Sequence, residues 1–266
     1  MKSFFAKPSI LLYTLILFSG LISWVEAQRM QAPLPRVGIP VIRPTIVATI
    51  PHDTEAFTQG LLYRDGYLYE STGIVGRSSL RKIDASTGEV VQLIPVAHIF
   101  GEGIAVWEDE LVQLTWKSNI AIRYTFPRLQ QKGAFRYEGE GWGLTTDENG
   151  FIMSNGSDTL YFRNSSFEIY RTLPVTLEAR PLGNLNELSY ARDRIFANVW
   201  KENYIAEIDP QSGRVLRLID CSALVRNELP LGPQQVLNGI AWCEEQDLWY
   251  LTGKEWQHIY LVTLEQ

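Results

Sequence analysis

The sequence predicts an all-β fold, a five-bladed β-propeller closed by an N-terminal strand that completes the last blade. Three observations carry that prediction. From Ile46 onward, short alternating apolar and polar runs are separated by turns rich in Asp, Gly, Asn and Ser, a pattern of strands and hairpins rather than helices. A motif of polar residue, small residue, then Leu or Ile recurs five times along the chain. The fifth repeat ends one strand short, whereas Ile46-Val47-Ala48-Thr49-Ile50 belongs to no repeat.

At the N-terminus, Lys2 and Lys7 precede an apolar run from Ile10 to Val25, and Val25-Glu26-Ala27 presents small residues where a signal peptidase reads. This order predicts a signal peptide over residues 1–27. A permanent anchor is the alternative, because the run approaches the ~20 residues that span a bilayer. Residues 28–44 hold Pro33, Pro35, Pro40 and Pro44 and read as an exposed Pro-rich arm. The propeller is expected over residues 45–266.

The repeated motif reads Gln59-Gly60-Leu61, Glu102-Gly103-Ile104, Trp142-Gly143-Leu144, Asn186-Glu187-Leu188 and Asn238-Gly239-Ile240, two of these being looser copies. After each centre comes a second apolar run, such as Tyr67-Leu68-Tyr69 or Arg194-Ile195-Phe196. A third follows, such as Tyr204-Ile205-Ala206-Glu207-Ile208, and a Ser-Thr-Gly or Gln-Ser-Gly turn leads into a fourth. Four strands per unit of this length make a propeller blade, which buries its faces only by stacking on neighbours in a ring. Ile46–Ile50 then supplies the outer strand of the last blade and removes an open edge. A two-sheet sandwich is the alternative, but it has no need of a recurring unit.

In a propeller the first strand of each blade lines the central channel, so Gln59, Glu102, Trp142, Asn186 and Asn238 converge near the axis. Four are polar, one of them acidic, and the fifth is a Trp, which the fold alone does not require; a channel filled with bound water is the bland reading. The second strands end at Thr72-Gly73, Thr115-Trp116-Lys117, Ser154-Asn155, Val199-Trp200-Lys201 and Thr252-Gly253-Lys254 near the same mouth. Trp116, Trp142 and Trp200 can therefore form an aromatic box around Glu102, or serve as packing between blades. A carboxyl in such a box loses hydration and its pKa rises toward neutrality, which suits general acid–base work. A structural cation or a lysine partner for Glu102 is the competing role.

The formal net charge of −6 argues against a nucleic-acid partner. His52, His98 and His258 show no zinc spacing, and His52 beside Asp53 reads as a structural turn residue. No nucleophile elbow or phosphate loop is present. Neither a metal nor another cofactor is expected. Cys221 and Cys243 are equally compatible with a disulfide and with two buried thiols.

Several strings resemble the plant-type glutaminyl-peptide cyclotransferases: Ala56-Phe57-Thr58-Gln59-Gly60-Leu61, Leu68-Tyr69-Glu70-Ser71-Thr72-Gly73, Phe100-Gly101-Glu102-Gly103, Leu114-Thr115-Trp116, Leu185-Asn186-Glu187-Leu188, Asn198-Val199-Trp200 and Leu237-Asn238-Gly239-Ile240. They follow the family's order across residues 45 to 264. The resemblance implies a five-bladed propeller that converts N-terminal glutamine of peptides or proteins to pyroglutamate. It implies Glu102 as the catalytic acid–base, and Phe57, Gln59, Phe100, Trp116, Trp142, Asn186, Trp200 and Lys254 as the substrate pocket. The oxyanion donor is then Gln59, Asn186 or an indole N–H, with Lys254 either helping there or tuning Glu102. A monomer, secreted or otherwise extracytoplasmic and without stable membrane association after cleavage, is expected. Two other functions fit a propeller mouth of this kind. One is a cation-dependent lactonase or esterase with Glu102, Asn186 and Asn238 as oxygen ligands; the other is a non-enzymatic peptide- or sugar-binding propeller.

Overall fold

The computed structural model describes residues 34–96 and 98–264; the expected signal peptide lies outside them. Five four-stranded units surround one axis. The first blade runs through Thr58–Arg64, Tyr67–Thr72, Ser79–Asp84 and Val90–Pro95, and the second through Gly101–Trp107, Glu110–Thr115, Ile120–Thr125 and Gln131–Arg136. The third comprises Leu144–Asp147, Gly150–Met153, Thr159–Arg163 and Ile169–Pro174, and the fourth Leu185–Ala191, Arg194–Val199, Tyr204–Ile208 and Val215–Asp220. Leu237–Cys243, Leu248–Gly253 and His258–Thr263 make the fifth, and its outer strand is Thr45–Pro51, paired antiparallel from Thr45 opposite Thr263 to Pro51 opposite His258. The ring is therefore closed by the N-terminal strand, as the missing fourth strand of the last repeat predicts. A short helix, Ser222–Asn227, precedes the fifth blade and accounts for its longer spacing.

Burial explains the patterning. The second strands are sandwiched between neighbouring blades, so Glu110–Thr115 and Arg194–Val199 are buried at all but their first residue. Outer strands face solvent on one side, and Val90–Pro95 alternates half-buried with exposed. Among the described residues five apolar clusters form, one at each seam; Leu80, Tyr69, Ile104 and Tyr124 fill that between the first two blades.

The repeated motif has two structural jobs. In the first, second, fourth and fifth blades the pairing of inner and second strands shifts register at the motif, as between Gly101 and Ile104. A bulge of this kind re-aims side chains, here Gln59, Glu102, Asn186 and Asn238. The small residue lets inner strands touch backbone to backbone: a Cβ on Gly103 would strike Leu144 N, and one on Gly143 would strike Asn186 O. The fourth blade carries Glu187 at this position. Its carboxylate is buried and accepts the backbone N–H of Leu61 (3.1 Å) and of Ile240 (3.0 Å), linking the first and fifth blades.

The Pro-rich segment is exposed or half-buried throughout its described part, and it is docked on the propeller. Val41–Ile42 pairs in parallel with the outer strand of the fourth blade, while Leu34, Val37 and Ile39 pack on the apolar cluster between the third and fourth blades. Apolar residues between the prolines supply the packing, and an edge tolerates the missing N–H groups. Cys221 and Cys243 are both free and buried, so the thiol alternative holds.

Candidate active site

One mouth of the propeller opens into a cavity of about 420 Å³, and all nine residues expected at the site line it. The repeat builds this site by a shared device. In four blades the residue at the end of the second strand donates its backbone N–H to the carbonyl that precedes the motif: Gly73 to Phe57 (2.8 Å), Trp116 to Phe100 (3.0 Å), Trp200 to Asn184 (2.9 Å) and Lys254 to Val236 (2.9 Å). Each such bond sets one or two lining side chains at the mouth.

The aromatic rings form an arc. Phe57 meets Phe100 edge to face at 6.1 Å, Phe100 meets Trp116 at 5.5 Å, and Trp142 meets Trp200 edge to face at 5.7 Å. Gly73 makes room for Phe100, whose ring occupies the space a Cβ there would take.

Glu102 is only 4% exposed. Burial pushes its pKa well above the usual carboxylate value; Lys254 opposes the shift and Glu140 adds to it. Gln59 Nε2 donates to Glu102 Oε1 (3.1 Å), while Gln59 Oε1 accepts from Asn238 Nδ2 (3.2 Å), which also reaches Thr58 O (2.9 Å). This chain orients the Gln59 amide, and Asn238 stands behind it rather than in the cavity lining. Asn186, with no side-chain hydrogen bond among the described residues, keeps its amide available to the cavity. Lys254 is equally buried, its pKa lowered by burial to about 8 against the raising effect of Glu102. Its Nζ lies 4.7 Å from the centre of the Phe57 ring, a cation–π contact across the seam of the first and fifth blades.

Behind Phe57 lies a buried ionic cluster. His52 pairs with Glu70 (2.9 Å) and contacts Trp256 O (3.0 Å); Glu70 also accepts from Thr58 Oγ1 (2.7 Å), and Arg81 lies 3.7 Å from its other oxygen. Burial alone would depress His52, but the charge and hydrogen bond of Glu70 outweigh it and raise its pKa. His52 is thus structural, as a ligature of the closing seam rather than of a surface turn.

Three contributors were not among the expected residues. Ile74 and Gln234 line the rim. Glu140 Oε2 accepts both the Trp116 indole N–H (2.7 Å) and that of Trp142 (3.0 Å), which removes those two indoles from the candidate oxyanion donors. The Gly139-Glu140-Gly141 triplet just before Trp142 was the available signal. Among the described residues no group of three or more His, Cys, Asp and Glu side chains could hold a metal ion.

Comparison with known proteins agrees with this architecture. Residues 15–264 match the profile of the family described as Glutamine cyclotransferase. The glutaminyl-peptide cyclotransferase of Arabidopsis thaliana is 38% identical over 227 residues, spanning 83% of this chain and 71% of that protein. The crystal structure of Myxococcus xanthus glutaminyl cyclase superposes with a TM-score of 0.80 at 34% identity, covering 85% of this chain and 99% of that one. Family profile, plant relative and bacterial structure all lead to one assignment: the chain belongs to the glutamine cyclotransferase family.

Proposed function

We propose that this chain, as a glutaminyl-peptide cyclotransferase, converts N-terminal glutamine of peptides and proteins to pyroglutamate with Glu102 as proton carrier. The observation supporting that role is a desolvated carboxyl in an aromatic cavity, with Gln59 on one oxygen and the other free of hydrogen-bond partners among the described residues. Because Gln59 donates to Oε1, Oε2 is the oxygen that exchanges the proton.

The substrate α-ammonium gives a proton to Glu102, and the neutral amine attacks the carbon of its own γ-carboxamide. The new C–N bond places negative charge on the carbonyl oxygen. Asn186 is a donor free to meet it, and the Lys254 cation adds stabilisation. Glu102 then protonates the leaving nitrogen, the old C–N bond breaks, and ammonia departs. The carboxylate takes the surplus proton from the ring nitrogen, which completes the five-membered lactam, and yields it to the departing ammonia as ammonium, which restores Glu102. A carboxyl with a raised pKa is suited to both transfers near neutral pH. The aromatic arc excludes water and holds the glutamine side chain folded toward its amine.

The enzyme acts outside the cytoplasm, a reading supported by Lys2, Lys7 and the apolar run after them. Among the described residues no helix is long and apolar enough to cross a membrane. The test is ammonia release from a glutaminyl dipeptide, with and without a chelator. Glu102→Gln should bind substrate yet lose nearly all turnover. Retained turnover in that variant would refute the role of Glu102, and loss on chelation would refute a metal-free reaction.

A further inference from the structure

We propose that Glu140 is a positioning residue for this reaction, a single carboxylate that holds Trp116 and Trp142 as adjoining walls of the pocket. The inference rests on the cyclotransferase reading of the cavity. Trp116 follows the second strand of the second blade and Trp142 opens the third, so the two rings come from separate units with no backbone continuity at the mouth. Glu140 lies on the connection between those blades. Its Oε2 accepts both indole N–H groups, and its Oε1 pairs with Lys117 (3.3 Å), whose Nζ lies 3.9 Å from the centre of the Trp116 ring.

The backbone around Glu140 is tied down as well. Gly141 N–H donates to Trp116 O (3.1 Å), and Gly139 O accepts from Asn119 Nδ2 (2.8 Å). At Gly141 a Cβ would strike the Tyr137 hydroxyl. The carboxylate therefore joins two stretches of ring contact, Phe57–Phe100–Trp116 and Trp142–Trp200, into one arc. A carboxylate oxygen has two lone pairs and can accept both donors, and its charge strengthens each bond. Packing of indoles between blades needs no such acceptor, since Trp107, Trp242 and Trp249 leave their buried Nε1 atoms without partners among the described residues.

Glu140 is also one of the charged or titratable groups facing Glu102, the others being Lys254 and Tyr137. Its side chain is 39% exposed, so solvent moderates that influence.

The experiment is steady-state turnover of a glutaminyl dipeptide, with circular dichroism to establish folding of each variant. Glu140→Ala should raise KM about tenfold with a smaller fall in kcat, the scale of one lost hydrogen bond to a charged acceptor. Glu140→Gln keeps a carbonyl acceptor and should restore most of that KM. With one negative charge fewer near Glu102, its acid limb in kcat/KM should move to lower pH. In a Trp116→Phe, Trp142→Phe background there is no indole N–H to hold, and Glu140→Ala should change KM less than about twofold. An unchanged KM in Glu140→Ala, or an equal rise with and without the indole N–H groups, overturns the proposal. Glu102→Gln assayed alongside judges the proton carrier separately, since its retained turnover would fault that role and leave the KM comparison intact.

Discussion

Replacing Glu187 by leucine removes the carboxylate near the axis while filling most of its volume. Two backbone donors, Leu61 N–H and Ile240 N–H, lose their acceptor in a part of the ring closed to water. A buried donor left unmade costs about 1–3 kcal/mol, so the pair should cost about 2–6 kcal/mol. The lower half of that range is expected, because the substitution also relieves the desolvation of a carboxyl whose pKa burial drives well above normal against its two N–H partners. Glu187→Ala should lose more than Glu187→Leu, by the cavity it leaves. The sign with pH also follows. The folded state holds this proton more tightly than the unfolded chain does, so this group's stabilisation falls as pH rises from the unfolded value of about 4.3 toward the raised folded value. The deficit of Glu187→Leu should therefore shrink across that interval. Denaturant unfolding followed by tryptophan fluorescence measures each quantity. If both variants stay within about 0.5 kcal/mol of the parent, the range of an inconsequential surface change, the linking role of Glu187 is wrong.

Lys254→Met removes the cation that holds the Glu102 pKa down, so the acid limb of kcat/KM should move to higher pH; an unmoved limb would count against their coupling. Gly73→Ala drives a methyl into the Phe100 ring and should lower kcat/KM about tenfold, since small misplacements at a reacting pocket are costly; the assay is the same ammonia release. The two free thiols are buried, so a thiol reagent should label neither in the folded protein and both after denaturation, with mass spectrometry as the readout.

How far the sequence reached is clearest at particular residues. Glu102 could be placed near the axis because the bulged motif repeats, and because strand alternation determines which side chains share a face. Glu187 was visible only as an irregular copy, a large acid where the other units carry glycine. Its partners lie 126 and 53 residues away, and no local pattern encodes such a separation. Glu140 was hidden for a related reason. Its flanking glycines carry no nucleotide-binding mechanism and name no partner, whereas its role depends on two indoles brought together by neighbouring blades. The Pro-rich segment read as an arm because composition reports solvent preference, not the open edge of the fourth blade on which Val41–Ile42 settles.

The strand that closes the ring also ties the integrity of the pocket to two distant stretches of chain. Thr45–Pro51 and its partner, His258–Thr263, lie far apart in the sequence, with all the other blades between them. Phe57 and Lys254 meet across that same join. The pocket is therefore complete only when both strands are in place, and loss of either leaves both an incomplete site and an unpaired edge exposed to other chains. A whole pocket and protection from aggregation therefore depend on one and the same strand pairing.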